Sequence, residues 1–187
     1  MAPERPEGVA GIAGGGGTVE TAPMLKHLML DMPQLALAVA ESMTAGRLQA
    51  LVGAESGASG FFRGGITAYT LEAKVRHLGV DRAVAVPVDC VSAEVAWQMA
   101  CGACALFGAA VAVATTGYAE PAPERGYAEP CVYWAICHRP FVGGVVRREG
   151  FVRLAGADRT GAQERAAEAA YAALEAYLEG WRQGTRG

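Results

Sequence analysis

Serine and lysine are scarce in this sequence. Ser42, Ser56, Ser59 and Ser92 are its only serines, and Lys26 and Lys74 the only lysines among 16 basic residues. Lys74 opens a segment of helical pattern. A free lysine titrates near 10.4, so roughly one molecule in 2,500 is neutral at pH 7. Burial or a nearby cation lowers that value and can turn the amine into a base. Ser59 lies in Gly57-Ala58-Ser59-Gly60-Phe61-Phe62, where flanking glycines let backbone N–H groups crowd around one side chain. Such a loop can expose a hydroxyl and stabilise an oxyanion. The same residues also read as an N-cap serine before a short turn, and Lys74 as a solvated helix lysine. Ser42 and Thr44 follow an apolar run and open a helical pattern, where free N–H groups favour a phosphate. Ordinary helix capping is the alternative.

The other reactive side chains point less clearly to chemistry. Cys101-Gly102-Ala103-Cys104 has the CxxC spacing, but a redox or zinc role requires a partner pair or a helix N-terminus. This pair falls deep inside a helical pattern among alanines, so close packing of a helix on a sheet is the better account. His27, His77 and His138 share no ligand spacing. No metal is expected.

The elements that must position these residues follow from periodicity. Helices are expected over 24–32, 44–52, 71–78, 92–107 and 161–181, with Ser92 as an N-cap and Gly79 as a stop. Strands are expected over 34–40, 61–70, 109–114, 131–137 and 145–154, with a long loop over 118–130 rich in proline. Strands interleaved with helices, closed by a late hairpin, imply an α/β layered domain around a mixed sheet. The 187 residues suffice for one domain, here 23–183, behind a flexible leader over 1–22 that includes Gly14 to Gly17. With 52% hydrophobic residues and 16 Lys+Arg against 19 Asp+Glu, the chain is neither disordered nor a polybasic nucleic-acid binder. Apolar stretches fall short of the ~18 residues of a membrane span, and no secretory signal is visible. A soluble cytoplasmic protein with reduced thiols is the expectation.

Several segments together resemble one family. Glu41-Ser42-Met43-Thr44-Ala45-Gly46 is similar to the A-E-S-x-T-G-G signature of the C-terminal domain of competence/damage-inducible protein A. Gly57 to Gly65 resembles its G-S-S-x-x-F-x-x-G segment, and Tyr69-Thr70-Leu71-Glu72-Ala73-Lys74 its Y-S-N-E-A-K. Val91-Ser92-Ala93-Glu94-Val95-Ala96 with Met99-Ala100 matches V-S-E-x-V-A-x-x-M-A, and Ala157-Asp158-Arg159 its G-D-R. The segments keep family order over about 30–180.

The resemblance implies a three-layer α/β/α sandwich around a mixed sheet, and a metal-free and cofactor-free amidase that converts nicotinamide mononucleotide to nicotinate mononucleotide and ammonia. Carried over by motif, Ser59 would be the nucleophile, Lys74 its base and Tyr69 a helper. Ser42, Thr44, Gly46, Gly117 and Arg159 would bind the substrate. A small-molecule nucleotide is the expected partner, with no nucleic acid or membrane, and a homo-oligomer, a dimer, is the expected assembly. The alternative is a divergent member that binds a ligand or regulates without turnover. The chain departs from the pattern at Met43, Ala45 and Leu71, and most strongly at Glu120, where the family has glycine. A carboxylate there would repel a substrate phosphate.

Overall fold

The structure, a computed structural model, describes residues 25–185, and the leader expected over 1–22 lies outside them. The fold grows outward from β1 (Leu37–Glu41), which is buried at every position. β2 (Phe62–Thr67) and β3 (Val111–Tyr118) flank it in parallel. β4 (Cys131–His138) runs antiparallel to β3, and β5 (Val146–Arg153) antiparallel to β4, giving the order β2-β1-β3-β4-β5.

Alternation along β1 and β3 makes the two faces of the sheet unlike. Leu37 and Val39 align with Val111 and Val113, while Ala38 and Ala40 align with Ala112 and Ala114. The bulky face packs on α1 (Leu25–Leu30), α2 (Arg47–Ala54) and α6 (Arg159–Thr185) through Leu48, Val52, Leu174 and Leu178. Truncating one of these leucines to alanine would cost about 2–5 kcal/mol. The alanine face takes α3 (Leu71–Leu78), α4 (Arg82–Ala85) and α5 (Ala93–Phe107). Small residues bring these helices close. A Cβ on Gly102 would stand 2.1 Å from the carbonyl oxygen of Leu78, so only glycine seats α5 on the end of α3. This is the expected three-layer α/β/α arrangement.

Boundaries differ from expectation for local reasons. β1 includes Glu41, and the ladder continues as the Ser42 amide donates to the Thr115 carbonyl at 3.0 Å. α2 begins at Arg47 rather than 44 because Ala45 (φ 51°) and Gly46 (φ 98°) are left-handed. β3 runs on to Tyr118, expected in the loop, because β4 stays paired with it as far as Cys131. α6 starts at Arg159, where Asp158 Oδ1 accepts from the Gly161 amide at 2.7 Å. Among the described residues no helix is long and apolar enough to cross a membrane.

Candidate functional site

The three parallel strands deliver their carboxyl ends to one edge of the sheet. The chain leaves β1 through α2 on the bulky face and leaves β2 through α3, α4 and α5 on the alanine face. The crevice that forms between strands whose crossovers diverge is the usual ligand position of such sheets. Here it is a cavity of about 470 Å³. Ser42 after β1, Tyr69 and Lys74 after β2, Asp89 and Cys90 before α5, Thr116 to Glu120 at the end of β3, and Arg159 line it.

Lys74 is the centre of this cavity. It lies in the second turn of α3, capped at Thr70 by a bond from the Ala73 amide to Oγ1 at 3.2 Å. Helical side chains lean toward the N-terminus, which turns this amine back onto the preceding segment. Nζ donates to Ser42 Oγ at 2.8 Å, to the Ala68 carbonyl at 2.9 Å and to the Tyr69 carbonyl at 3.3 Å. The residue is 1% exposed. Burial holds its pKa below the ordinary lysine value, opposed by the negative charge that Cys90 and Asp89 can carry. A lysine so placed can exchange a proton with the serine hydroxyl.

The rim carries a second group. Arg159 Nη2 donates to the Tyr69 hydroxyl at 3.0 Å, and its Nη1 forms an ion pair with Glu120. Asp89 accepts from the Tyr118 hydroxyl at 3.0 Å and lies 3.7 Å from Arg125. Thr116 Oγ1 donates to the Cys90 carbonyl at 2.7 Å, tying β3 to the wall before α5. Asp89 (φ 50°) and Cys90 (φ 63°) are left-handed without being glycine. Such backbone costs of order 1–3 kcal/mol per residue and gathers at ligand sites.

The sequence-derived residues divide on inspection. Lys74, Tyr69, Arg159, Gly117 and Ser42 share the cavity. Ser59 does not. It lies in a 3₁₀ turn at Ala58–Gly60, exposed, before the amino end of β2, whereas Lys74 follows the carboxyl end. Roughly 16 Å of strand separates the two. The glycines around Ser59 serve the turn: Gly57 is left-handed (φ 82°) and lies against Lys26, and Gly60 against Leu30 of α1. Thr44 and Gly46 are not free for a substrate either. Thr44 is fully buried, donates from its hydroxyl to Glu41 at 2.6 Å and shares a 2.7 Å contact with Thr115. The amides of Gly46, Leu48 and Gln49 donate to the Glu41 carboxylate at 3.0, 3.1 and 2.9 Å. The α2 N-terminus proposed for a phosphate is thus filled by the chain's own anion.

Glu41, Asp89, Cys90, Thr116 and Tyr118 are the site residues that sequence reasoning missed. An acidic residue at the end of an otherwise apolar strand was a visible sign for Glu41, since a buried carboxylate must find donors. For Asp89 and Cys90 no sequence signal existed.

Comparison with known proteins agrees with the fold. Residues 24–178 match the family model described as the CinA C-terminal domain. A CinA-like protein of Chlorobium limicola is 37% identical over 154 residues, covering 81% of this chain and 35% of that protein. One from a Picosynechococcus species is 38% identical over 131 residues, covering 68% and 31%. This chain therefore spans about a third of the length of these curated relatives. Among solved structures, competence damage-inducible protein A from Klebsiella pneumoniae superposes with a TM-score of 0.71 at 31% identity, covering 81% of this chain and 91% of that one. A CinA superfamily protein from Enterobacter cloacae gives 0.74 at 28% identity, covering 91% and 99%. With the fold, the motifs and the family model in agreement, this chain belongs to the CinA C-terminal domain family.

Proposed function

We propose that the chain is a metal-free amidohydrolase in which Ser42, rather than Ser59, is the nucleophile and Lys74 the base. One observation carries the reading: the buried Lys74 amine stands 2.8 Å from the Ser42 hydroxyl at the wall of an open cavity. In its neutral form Lys74 takes the Ser42 proton as Oγ attacks the carbon of a carboxamide. The proton then passes to the leaving nitrogen, the C–N bond breaks and ammonia departs. Water, giving its proton to the same amine, opens the acyl-serine ester to the carboxylic acid and restores Ser42. Tyr69 acts on both groups, since its carbonyl accepts from Lys74 and its hydroxyl from Arg159.

The resemblance to the family supplies the substrate of this proposal, nicotinamide mononucleotide, converted to nicotinate mononucleotide. Ammonia release from that nucleotide by the purified chain, lost on Ser42→Ala and Lys74→Met, is the test. The Glu120–Arg159 pair favours a second reading, a pocket that binds a ligand without turnover, because the rim cation is already engaged. Saturable binding with no ammonia would select it.

A further inference from the structure

The CxxC segment plays no part in the cavity. It occupies the later turns of α5, while the cavity gathers before that helix begins. Its cysteines face Cys137, next to the residue of β4 that pairs with Val111 at the start of β3, and so at the opposite edge of the sheet from Ser42. The partner that the sequence pattern lacked is supplied by a strand.

Three thiols meet there. Cys101 Sγ lies 3.5 Å from Cys137 Sγ, and Cys104 Sγ donates to the Cys137 carbonyl at 3.6 Å. Cys104 and Cys137 are buried, whereas Cys101 is half-buried at the surface. Arg139 Nη2 donates to the Cys101 carbonyl at 3.3 Å, which keeps a cation beside the pair. The S–H groups of Cys104 and Cys101 hold the Cys137 thiol below its ordinary range despite its burial, with help from Arg139. Cys101, buried in part and donating into that contact, is held above it. The arrangement is an accessible thiol in contact with a more acidic, buried one.

We propose that Cys101 and Cys137 form a reversible disulfide site, entered from solvent at Cys101 by a low-molecular-weight disulfide of the glutathione-disulfide class. Cys101, after losing its proton to solvent, attacks one sulfur of the small disulfide. Its S–S bond breaks, a mixed disulfide forms on Cys101, and one small thiolate leaves and takes up a proton. The Cys137 thiolate then attacks Cys101 Sγ and expels the second small thiolate, which is protonated in turn. Two protein thiols are oxidised and one small disulfide is reduced to two thiols, so atoms and electrons balance. Cys101 is the partner rather than Cys104 because it is the one of the two that reaches the surface, and its sulfur lies 3.5 Å from that of Cys137. The bond would close a loop between residues 36 apart and restrain the unfolded chain, so oxidation should raise the thermal midpoint.

The test uses the whole chain, first reduced and freed of reductant, then incubated with glutathione disulfide. Two of the five thiols should be lost, with no glutathione retained, and dithiothreitol should restore both. Fragmentation mass spectrometry of the unmodified sequence should place the bond between Cys101 and Cys137, a result that needs no variant to fold. Cys137→Ser should stop at a glutathione adduct on Cys101, Cys101→Ser should form no bond, and Cys104→Ser should behave as the parent. A bond to Cys104, a lasting adduct on Cys101 of the parent, or five thiols still free would each overturn the proposal.

Discussion

Two loops of this molecule each hold a serine, and they lie at opposite edges of the same sheet. The loop after β1 presents Ser42 to a buried lysine, with Glu41 bound by three amides and one hydroxyl directly beneath it. The loop before β2 presents Ser59 to solvent, and its glycines meet only the side chains of Lys26 and Leu30. Flanking glycine shows that a backbone turns tightly. It says nothing of what stands opposite the side chain. Reactivity in a hydroxyl comes from a base held within hydrogen-bond reach, and here the topology supplies one at the carboxyl edge only.

The sharpest way to break this comparison is to remove each hydroxyl in turn. Ser42→Ala should reduce ammonia release from nicotinamide mononucleotide by at least about a thousandfold, the scale of losing a nucleophile. Ser59→Ala should leave turnover unchanged and shift stability by less than about 0.5 kcal/mol, as exposed substitutions do. Turnover lost with Ser59 and kept without Ser42 would reverse the assignment.

Lys74 comes next in size. Arginine keeps its proton at any working pH, so Lys74→Arg should be as inactive as Lys74→Met. An Arg variant with most of its activity would mean that charge alone is needed. Because burial lowers the Lys74 pKa from 10.5, the rate should rise with pH and level off below that value. Stability should move in the same direction. The unfolded chain holds the proton up to about 10.5 while the folded chain releases it earlier, so unfolding free energy rises with pH between the two values. Below that window the full cost of burying the ammonium is present. Paired pH titrations of rate and chemical denaturation read both effects.

A smaller effect is expected one residue before Ser42. Glu41→Gln keeps the shape but puts an NH2 in place of one oxygen, so either the amides of Gly46 and Leu48, which share Oε2, or that of Gln49, on Oε1, would lose its acceptor. About 2–3 kcal/mol of stability should disappear, as for a charged hydrogen-bond partner removed from a buried site. Denaturant unfolding measures it, and a loss below ~1 kcal/mol would show that water can replace the carboxylate.

The layers were legible because β1 and β3 alternate Leu or Val with Ala, and because Ser92, Gly79 and Thr70 punctuate helices by well-understood chemistry. Lys74 stood out by rarity, and Tyr69 and Arg159 by their motifs, and the three line one cavity. What failed was pairing. Ser42 follows β1 and Ser59 lies in a 3₁₀ turn before β2, and only the parallel pairing of β1 and β2 decides which one meets Lys74. Nothing local encodes that register. The phosphate reading at Thr44 failed for a related reason: an N-terminus open in sequence is closed in space by Glu41. Likewise the CxxC segment looked partnerless until β4 brought Cys137 across it.

The smallest effect belongs to the rim, where the two edges of the comparison become a question of charge. Glu120 stands where the resembled family has glycine, and it pairs with Arg159, the cation expected to steady an anionic substrate. Both side chains are about half exposed, at 52% and 61%, so the pair is screened and contributes at most about 1 kcal/mol. A phosphate that needs Arg159 must displace Glu120 and then sit beside its charge. Glu120→Gly removes both obstacles and leaves Arg159 held by the Tyr69 hydroxyl. Affinity for nicotinamide mononucleotide should therefore rise by up to about fivefold relative to its dephosphorylated nucleoside at low salt. The gain should shrink as ionic strength rises, because the charges face solvent. Calorimetry of both ligands against both proteins decides the matter. A ratio unchanged by the substitution would mean that the phosphate lies away from this arginine, and that Glu120 restrains Arg159 without reading the substrate.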